Sequence, residues 1–364
     1  MHRSSIRRSL LVALSAVSIF AGCGSGEADA PTGTTAETAA GTAAETGAAE
    51  PVTLRLGYFP NITHATALVG VGRGIFAEHL ADNVTFETAT FNAGGEAIEA
   101  LFADAIDASY IGPNPAINGF AQSDGEALRI ISGATAGGAF LVVTPDITDV
   151  EQLRGATLAT PALGNTQDVA LRSWLKENGL TSDETGGGDV SIVPQENSAT
   201  LEAFKAGDID GAWVPEPWAT RLIQEGGGTV LVDEADLWPD GQYVTTHLIV
   251  ATTFLDAHPD VVKQLLEGHV AANEFVNANP AEAQKLANDQ IEKITQKRVS
   301  DAVLTIAWAN LTFTNDPVAS SLTTAADNAI AIGLLDPVDL TGIYDLTILG
   351  SILSEVGLPA IKEP

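Results

Sequence analysis

Ala105-Ile106-Asp107-Ala108-Ser109-Tyr110-Ile111-Gly112-Pro113 has an echo about a hundred residues on, in Asp208-Ile209-Asp210-Gly211-Ala212-Trp213-Val214-Pro215. Each copy leaves a helical stretch, turns on Ile-Asp and runs as a short β-rich strand. Each then ends on an aromatic and a β-branched residue before a proline turn. Two such units predict two similar lobes, each presenting a strand end to a shared cleft, because ligands of open parallel sheets bind beyond the carboxyl ends of the strands.

The surrounding sequence keeps the same rhythm. Strands are predicted at 52–58, 84–91, 108–111, 128–132, 140–143, 156–159, 190–193 and 212–214. Helices alternate with them at 65–78, 94–103, 166–178 and 199–206. From position 259 helices dominate, at 259–278, 280–294, 300–312 and 317–333. Asn165 stands where an N-cap belongs, with Asp168 three residues on, and Gly179 stops that helix. Alternating strand and helix predict an α/β fold with mostly parallel sheets.

The chain has 364 residues, 45% of them hydrophobic and 18% charged, enough for a core and two or so compact units. Its 47 acidic against 17 basic residues argue against nucleic acid and against docking on anionic lipid, both of which need cations. An acidic surface keeps a protein soluble and monomeric. The single Cys forbids an intrachain disulfide and a thiolate metal cluster.

Residues 1–8 carry Arg3, Arg7 and Arg8, and an apolar run of about a dozen residues follows to Phe20. With Ala21 and Gly22 behind it, this reads as an export signal over 1–22, too short to span a bilayer. Phe20-Ala21-Gly22-Cys23 resembles the bacterial lipobox, with Phe where Leu is usual, and so makes Cys23 the expected lipidation site. Residues 23–51 are mostly Ala, Thr, Gly and Glu and read as a disordered tether between lipid and domain. The protein is therefore expected to be exported and held on the outer face of the cytoplasmic membrane by its lipid alone.

Catalytic signatures are missing. The sequence has no Gly-x-Ser-x-Gly elbow and no Gly-Lys-Ser/Thr phosphate loop, and its six His residues are scattered. Gly70-x-Gly72-x-Gly74 has the wrong spacing for a dinucleotide. No catalytic group, metal site or cofactor is expected.

Binding chemistry is present in four loops: Tyr58-Phe59-Pro60-Asn61-Ile62-Thr63-His64; Asn92-Ala93-Gly94-Gly95 with Gly112-Pro113-Asn114-Pro115; Pro161-Ala162-Leu163-Gly164-Asn165-Thr166-Gln167-Asp168; and Trp213-Val214-Pro215-Glu216-Pro217-Trp218. Gly94-Gly95 and Asn165-Thr166 offer helix starts, whose free N–H groups favour an anion. Tyr58, Trp213 and Trp218 suit an amphipathic wall. Plainer readings stand beside these: Asn165 and Thr166 as a cap alone, Gly94-Gly95 as a turn, and Trp213 and Trp218 as core. Glu216 either serves a ligand that carries an amine or faces away. His64 either adds a charge when protonated or simply starts a helix, and His247 reads as structural.

These four loops resemble the substrate-binding lipoproteins of ABC importers for aliphatic sulfonates, taurine and nitrate, over about residues 52–331. The resemblance implies a two-lobed periplasmic-binding type II fold with a two-strand hinge, near 139–144 and 244–251. Residues 52–143 plus 251–364 would form lobe 1, and 144–250 lobe 2. It also implies a membrane permease and an ATPase as partners, and Tyr58, Pro60, Asn61, His64, Gly94, Gly95, Gly112, Pro113, Asn114, Gly164, Asn165, Thr166, Gln167, Trp213, Glu216 and Trp218 as candidate ligand contacts. A small organic anion is expected, a sulfonate first; taurine, nitrate or bicarbonate, an aromatic carboxylate and a thiamine-pyrimidine precursor are the alternatives. Enzymes that make the thiamine pyrimidine resemble the same domain, but no Lys lies in the four loops, and Lys176 and Lys205 fall on helices.

Overall fold

The computed structural model describes residues 50–183 and 185–361. The export signal, Cys23 and the tether up to residue 49 lie outside the described residues.

The chain begins as expected, with β1 (Val52–Tyr58), a 3-10 turn (Ile62–His64), α1 (Ala65–Arg73) and α2 (Ile75–His79). The predicted 65–78 helix is split because Gly74 takes φ +83°. There follow β2 (Val84–Thr90), α3 (Gly94–Phe102), β3 (Ala108–Ile111), α4 (Pro113–Gln122), β4 (Leu128–Gly137) and β5 (Ala139–Val143). Next come β6 (Thr157–Thr160), α5 (Thr166–Glu177), β7 (Ser191–Pro194), α6 (Asn197–Ala206), β8 (Gly211–Pro215), α7 (Trp218–Gln224), β9 (Thr229–Asp233) and β10 (Val244–Ala251). The chain ends with α8 (Thr252–Ala257), α9 (Pro259–Ala278), α10 (Pro280–Thr295), α11 (Asp301–Ala309), β11 (Leu311–Phe313), α12 (Ala319–Ala331) and α13 (Thr347–Val356).

Two sheets result, in the orders β11-β4-β10-β3-β1-β2 and β7-β6-β8-β5-β9. They are mixed rather than mostly parallel. β1 pairs parallel with β2 and β3, and β6 parallel with β7 and β8, while β4, β5, β9, β10 and β11 pair antiparallel. The antiparallel members are strands where the chain crosses between sheets and edge strands that return beside them. The edge strands β9 and β11 are short, with five and three residues.

The Ile-Asp echo has a physical basis. Asp107 Oδ2 accepts from Arg55 N at 2.7 Å, and the Asp107 N–H donates to Arg55 O at 2.9 Å. In the second sheet Asp210 Oδ2 accepts from Thr157 N at 2.7 Å, and the Asp210 N–H donates to Thr157 O at 2.8 Å. Each Asp thus locks the start of β3 or β8 onto the parallel strand beside it, β1 or β6. Leu54 and Leu56 alternate into the first core, which Ile106, Tyr110 and Ile111 also enter, and Leu141, Leu158 and Trp213 enter the second.

One boundary is corrected. Ala139–Val143, expected in the first lobe, is β5 of the second sheet, paired with β8 and β9. The chain leaves the first sheet at Gly137-Gly138, both at φ +77°, a conformation that ends β4. It returns through Tyr243, whose carbonyl accepts from Gly137 N at 3.2 Å, so the two crossings lie side by side. β10 belongs wholly to the first sheet, between β3 and β4.

Candidate functional site

The carboxyl ends of β1, β2 and β3 from one sheet and of β6, β7 and β8 from the other open on one cleft of about 470 Å3. Three helix starts line it from the second sheet's side, α5, α6 and α7, and α3 lines it from the first.

On the first wall, Asn61 caps the 3-10 turn by accepting from Thr63 N at 3.2 Å. The turn brings Pro60, Asn61, Thr63 and His64 to the cleft. His64 is buried, stacks on Phe59 with ring centroids 4.4 Å apart, and accepts at Nδ1 from Phe59 N at 3.3 Å. Burial pushes its pKa down to about 3, so the ring is neutral. The expectation that protonated His64 adds a charge is corrected: the buried site disfavours the imidazolium.

The start of α3 has no side-chain cap, because Ala93 occupies the N-cap position. Its first N–H groups are therefore left to solvent or ligand. Gly94 lines the cleft and packs so tightly that a Cβ there would stand 2.3 Å from Pro115 Cγ. Gly95 is exposed and lies off the cleft wall. Gly112 caps α4 and lines the cleft.

On the second wall, Asn165 caps α5 by accepting from Asp168 N at 3.0 Å. Thr166 and Gln167 are buried and line the cleft with Asn165. Asp168 holds this loop from beneath. Its Oδ1 accepts from Thr160 Oγ1 at 2.8 Å, and its Oδ2 accepts from Gly164 N and Arg172 Nε, each at 2.9 Å. Trp218 lines the cleft with Arg221 from one face of α7, and the Arg221 guanidinium carbon stands 4.7 Å from the Trp218 ring centroid.

Seven candidates lie elsewhere. Tyr58 is core. Pro113 and Asn114 line a different cavity, and Asn114 Nδ2 donates to Ala325 O at 3.2 Å. Gly164 shapes the loop at φ +70° without lining the cleft, and Gly95 is off the wall. Trp213 is fully buried, with its Nε1 donating to Glu234 Oε2 at 2.7 Å. Glu216 faces away: its Oε1 accepts from Thr220 Oγ1 at 2.8 Å and from Asn310 Nδ2 at 2.7 Å. Its Oε2 accepts from Thr220 N at 3.1 Å. Burial raises its pKa despite these bonds. Its place beneath the start of α7 withdraws the reading that it serves an amine.

The cleft also holds residues that the four loops did not show. Thr90 ends β2 and Phe91 follows it, and Glu196, Asn197 and Ser198 follow β7. Cations missing from the four loops are here: Arg221, Lys297 and Arg298 line the wall. Arg221 is three residues past Trp218 on one helix face, a spacing that would have revealed it. Lys297 and Arg298 sit between α10 and α11, far along the chain. Two of the three charges are already compensated: Arg221 donates to Glu225 at 2.8 and 3.0 Å, and Arg298 to Asp289 and Glu292 at 2.6 and 3.0 Å.

Contacts cross between the two walls. Asn92 Nδ2 donates to Glu196 Oε1 at 3.3 Å, and a Cβ on Gly112 would meet Thr166 Oγ1 at 2.7 Å. Among the described residues, no group of three or more His, Cys, Asp or Glu is placed to hold a metal ion.

The chain is similar to known proteins in sequence and in fold. The chain is 28% identical over 196 residues to the taurine-binding periplasmic protein of Escherichia coli, covering 54% of this chain and 59% of that one. The chain thus spans somewhat under two thirds of that relative's length. The alkanesulfonate-binding protein SsuA of Xanthomonas axonopodis pv. citri, solved with MOPS bound, superposes with a TM-score of 0.65 at 20% identity, covering 80% of this chain and 96% of that one. The periplasmic nitrate-binding protein NrtA of Synechocystis superposes with a TM-score of 0.68 at 16% identity, covering 85% and 90%. The likeness in structure establishes the two-lobed binding-protein fold. A family model described as NMT1-like matches residues 47–289, well over half of the sequence, and the chain belongs to the NMT1-like family.

Proposed function

We propose that the chain is the extracytoplasmic solute-binding component of an ABC importer, which captures a small organic anion between its lobes and delivers it to a membrane permease. An aliphatic sulfonate is the favoured ligand. The observation that carries this reading is the convergence of helix starts and neutral donors from both walls on one cleft: the α3 amides, Asn61, Asn165, Thr166 and Gln167. Such groups bind an anion without a buried counter-ion. The relative named for taurine and the solved neighbour named for alkanesulfonate support the same class of ligand. The volume of about 470 Å3 lies in the range of organic ligands and leaves a nitrate or bicarbonate ion loosely held.

The rest of the reading follows from that role. A permease and a cytoplasmic ATPase are the partners, Cys23 carries the lipid, and the chain acts as an exported monomer without a catalytic step. Its candidate contacts are those of the sequence that line the cleft: Pro60, Asn61, His64, Gly94, Gly112, Asn165, Thr166, Gln167 and Trp218.

A thermal-shift panel tests the proposal, with alkanesulfonates of increasing length, taurine, nitrate, bicarbonate, an aromatic carboxylate and the thiamine pyrimidine. A ligand at about 1,000 times its dissociation constant adds about 4 kcal/mol, a shift of several degrees. The expected result is a shift with sulfonates. A shift with the pyrimidine or the carboxylate alone overturns the sulfonate assignment.

A further inference from the structure

Thr166 lines a second cavity as well as the cleft, on the side towards the two chain crossings. This cavity measures about 110 Å3 and has walls from both lobes, with Pro113, Asn114 and Ala325 from the first, Thr166 and Trp174 from the second, and Trp238 and Tyr243 together beside the chain crossing. Trp238 and Tyr243 stack with ring centroids 5.6 Å apart. Trp174 leans on the buried Trp213 at 6.1 Å.

One carboxylate, Glu234, lines this aromatic pocket and is 1% exposed. Its partner is neutral. Trp213 Nε1 donates to Oε2 at 2.7 Å. The charge that acts on it is Asp233, of the same sign. Burial therefore outweighs the indole bond and pushes its pKa up to about 7. A second carboxylate, the exposed Glu177, lines the same cavity. A desolvated carboxylate without a counter-ion, set among indole and phenol rings, is the chemistry that holds an alkylammonium through charge and cation–π attraction. The volume has room for roughly four water-sized groups, the scale of a small methylated ammonium.

We propose that this cavity is a second ligand site for a small methylated ammonium cation, held among Trp174, Trp238 and Tyr243 and neutralised by Glu234. Because both lobes supply its walls, occupancy favours the lobe arrangement described here. The cleft and the cavity then raise each other's affinity by the same factor.

The test titrates tetramethylammonium chloride into the full-length chain at constant ionic strength, with NaCl replaced mole for mole, and follows tryptophan fluorescence. tert-Butanol, of similar size and uncharged, is the control. The expected result is a saturable change with tetramethylammonium and none with tert-butanol. Glu234→Gln, which keeps the shape and removes the charge, weakens binding about tenfold or more. Trp174→Leu, at a half-buried position, weakens it too, and keeps the test decisive if Glu234→Gln does not fold. An equal response to tert-butanol, no saturable response, or unchanged affinity in folded Glu234→Gln or Trp174→Leu overturns the proposal.

Discussion

Asp168→Ala would remove the post under the α5 wall of the cleft, and its cost follows from the contacts. Asp168 is fully buried and Arg172 is 3% exposed, with Oδ2 and Nε 2.9 Å apart. Removing one partner of a buried ion pair costs about 3–5 kcal/mol, because the other charge stays desolvated. Thr160 Oγ1 and Gly164 N lose their acceptor as well. Asp168→Ala is therefore expected to lower the unfolding free energy by about 4 kcal/mol, much of a normal domain's stability. Asp168→Asn keeps an oxygen for Gly164 and Arg172 but no charge, and is expected to cost about 2 kcal/mol. The double variant Asp168→Ala with Arg172→Met removes the stranded cation and should recover at least about 1 kcal/mol over Asp168→Ala alone. Urea unfolding read by tryptophan fluorescence gives all three values. A loss below about 1 kcal/mol in Asp168→Ala, or no recovery in the double variant, would refute the reasoning.

Three further outcomes are expected. Gly112→Ala has an ordinary φ of −71°, so its Cβ strains nothing locally but meets Thr166 across the cleft; ligand affinity should fall about tenfold with the melting temperature unchanged, and calorimetry of the best ligand checks it. Asn165→Ala deletes the cap of α5 and should cost about 1 kcal/mol in urea unfolding, together with a loss of ligand affinity. Burial holds His64 down to about 3 and His247 and His269 down to about 4, so the unfolded chain binds protons first as pH drops below 6.5. Their stabilisation is full above the unfolded pKa and is lost as pH falls towards 4. Glu234, raised to about 7, has the opposite sign: it favours the folded state below 4.5 and loses that contribution as pH rises towards 7, offsetting one histidine in that window. A net loss of about 2–3 kcal/mol per unit is expected between pH 6 and 5, and unchanged urea midpoints there would contradict it.

Much of this was readable in the sequence where local chemistry decides. β3 spans the predicted 108–111 and α9 the predicted 259–278, because a strong pattern sits between proline or glycine punctuation. The Ile-Asp echo marked both β3 and β8. What failed was long-range. β9 and α13 were not foreseen, and residues 311 and 312, read as the end of a helix, pair with β4 instead. Nothing local says that a neighbouring edge is free to accept them. The aromatics misled for a related reason: Tyr58 and Trp213 lie on strands that point at the cleft, yet their side chains enter the core. Lys297 and Arg298 reach the cleft only because α10 packs on α1, which no single segment encodes.

The two Asp locks have a consequence for how such a protein changes over generations. Asp107 and Asp210 fasten β3 and β8 at the ends away from the ligand, by hydrogen bonds to the backbones of Arg55 and Thr157. The register of the parallel strands is thus set at the floor of each lobe. Much of the cleft's wall is built by loops that hang beyond the opposite ends. Mutations in those loops sample new specificities without re-solving the fold. Diversity introduced at residues 60–61, 161–163 and 196–198 should yield folded variants far more often than the same diversity at 53–57 or 155–159. A library scored first for solubility and then for ligand preference would show that division of labour.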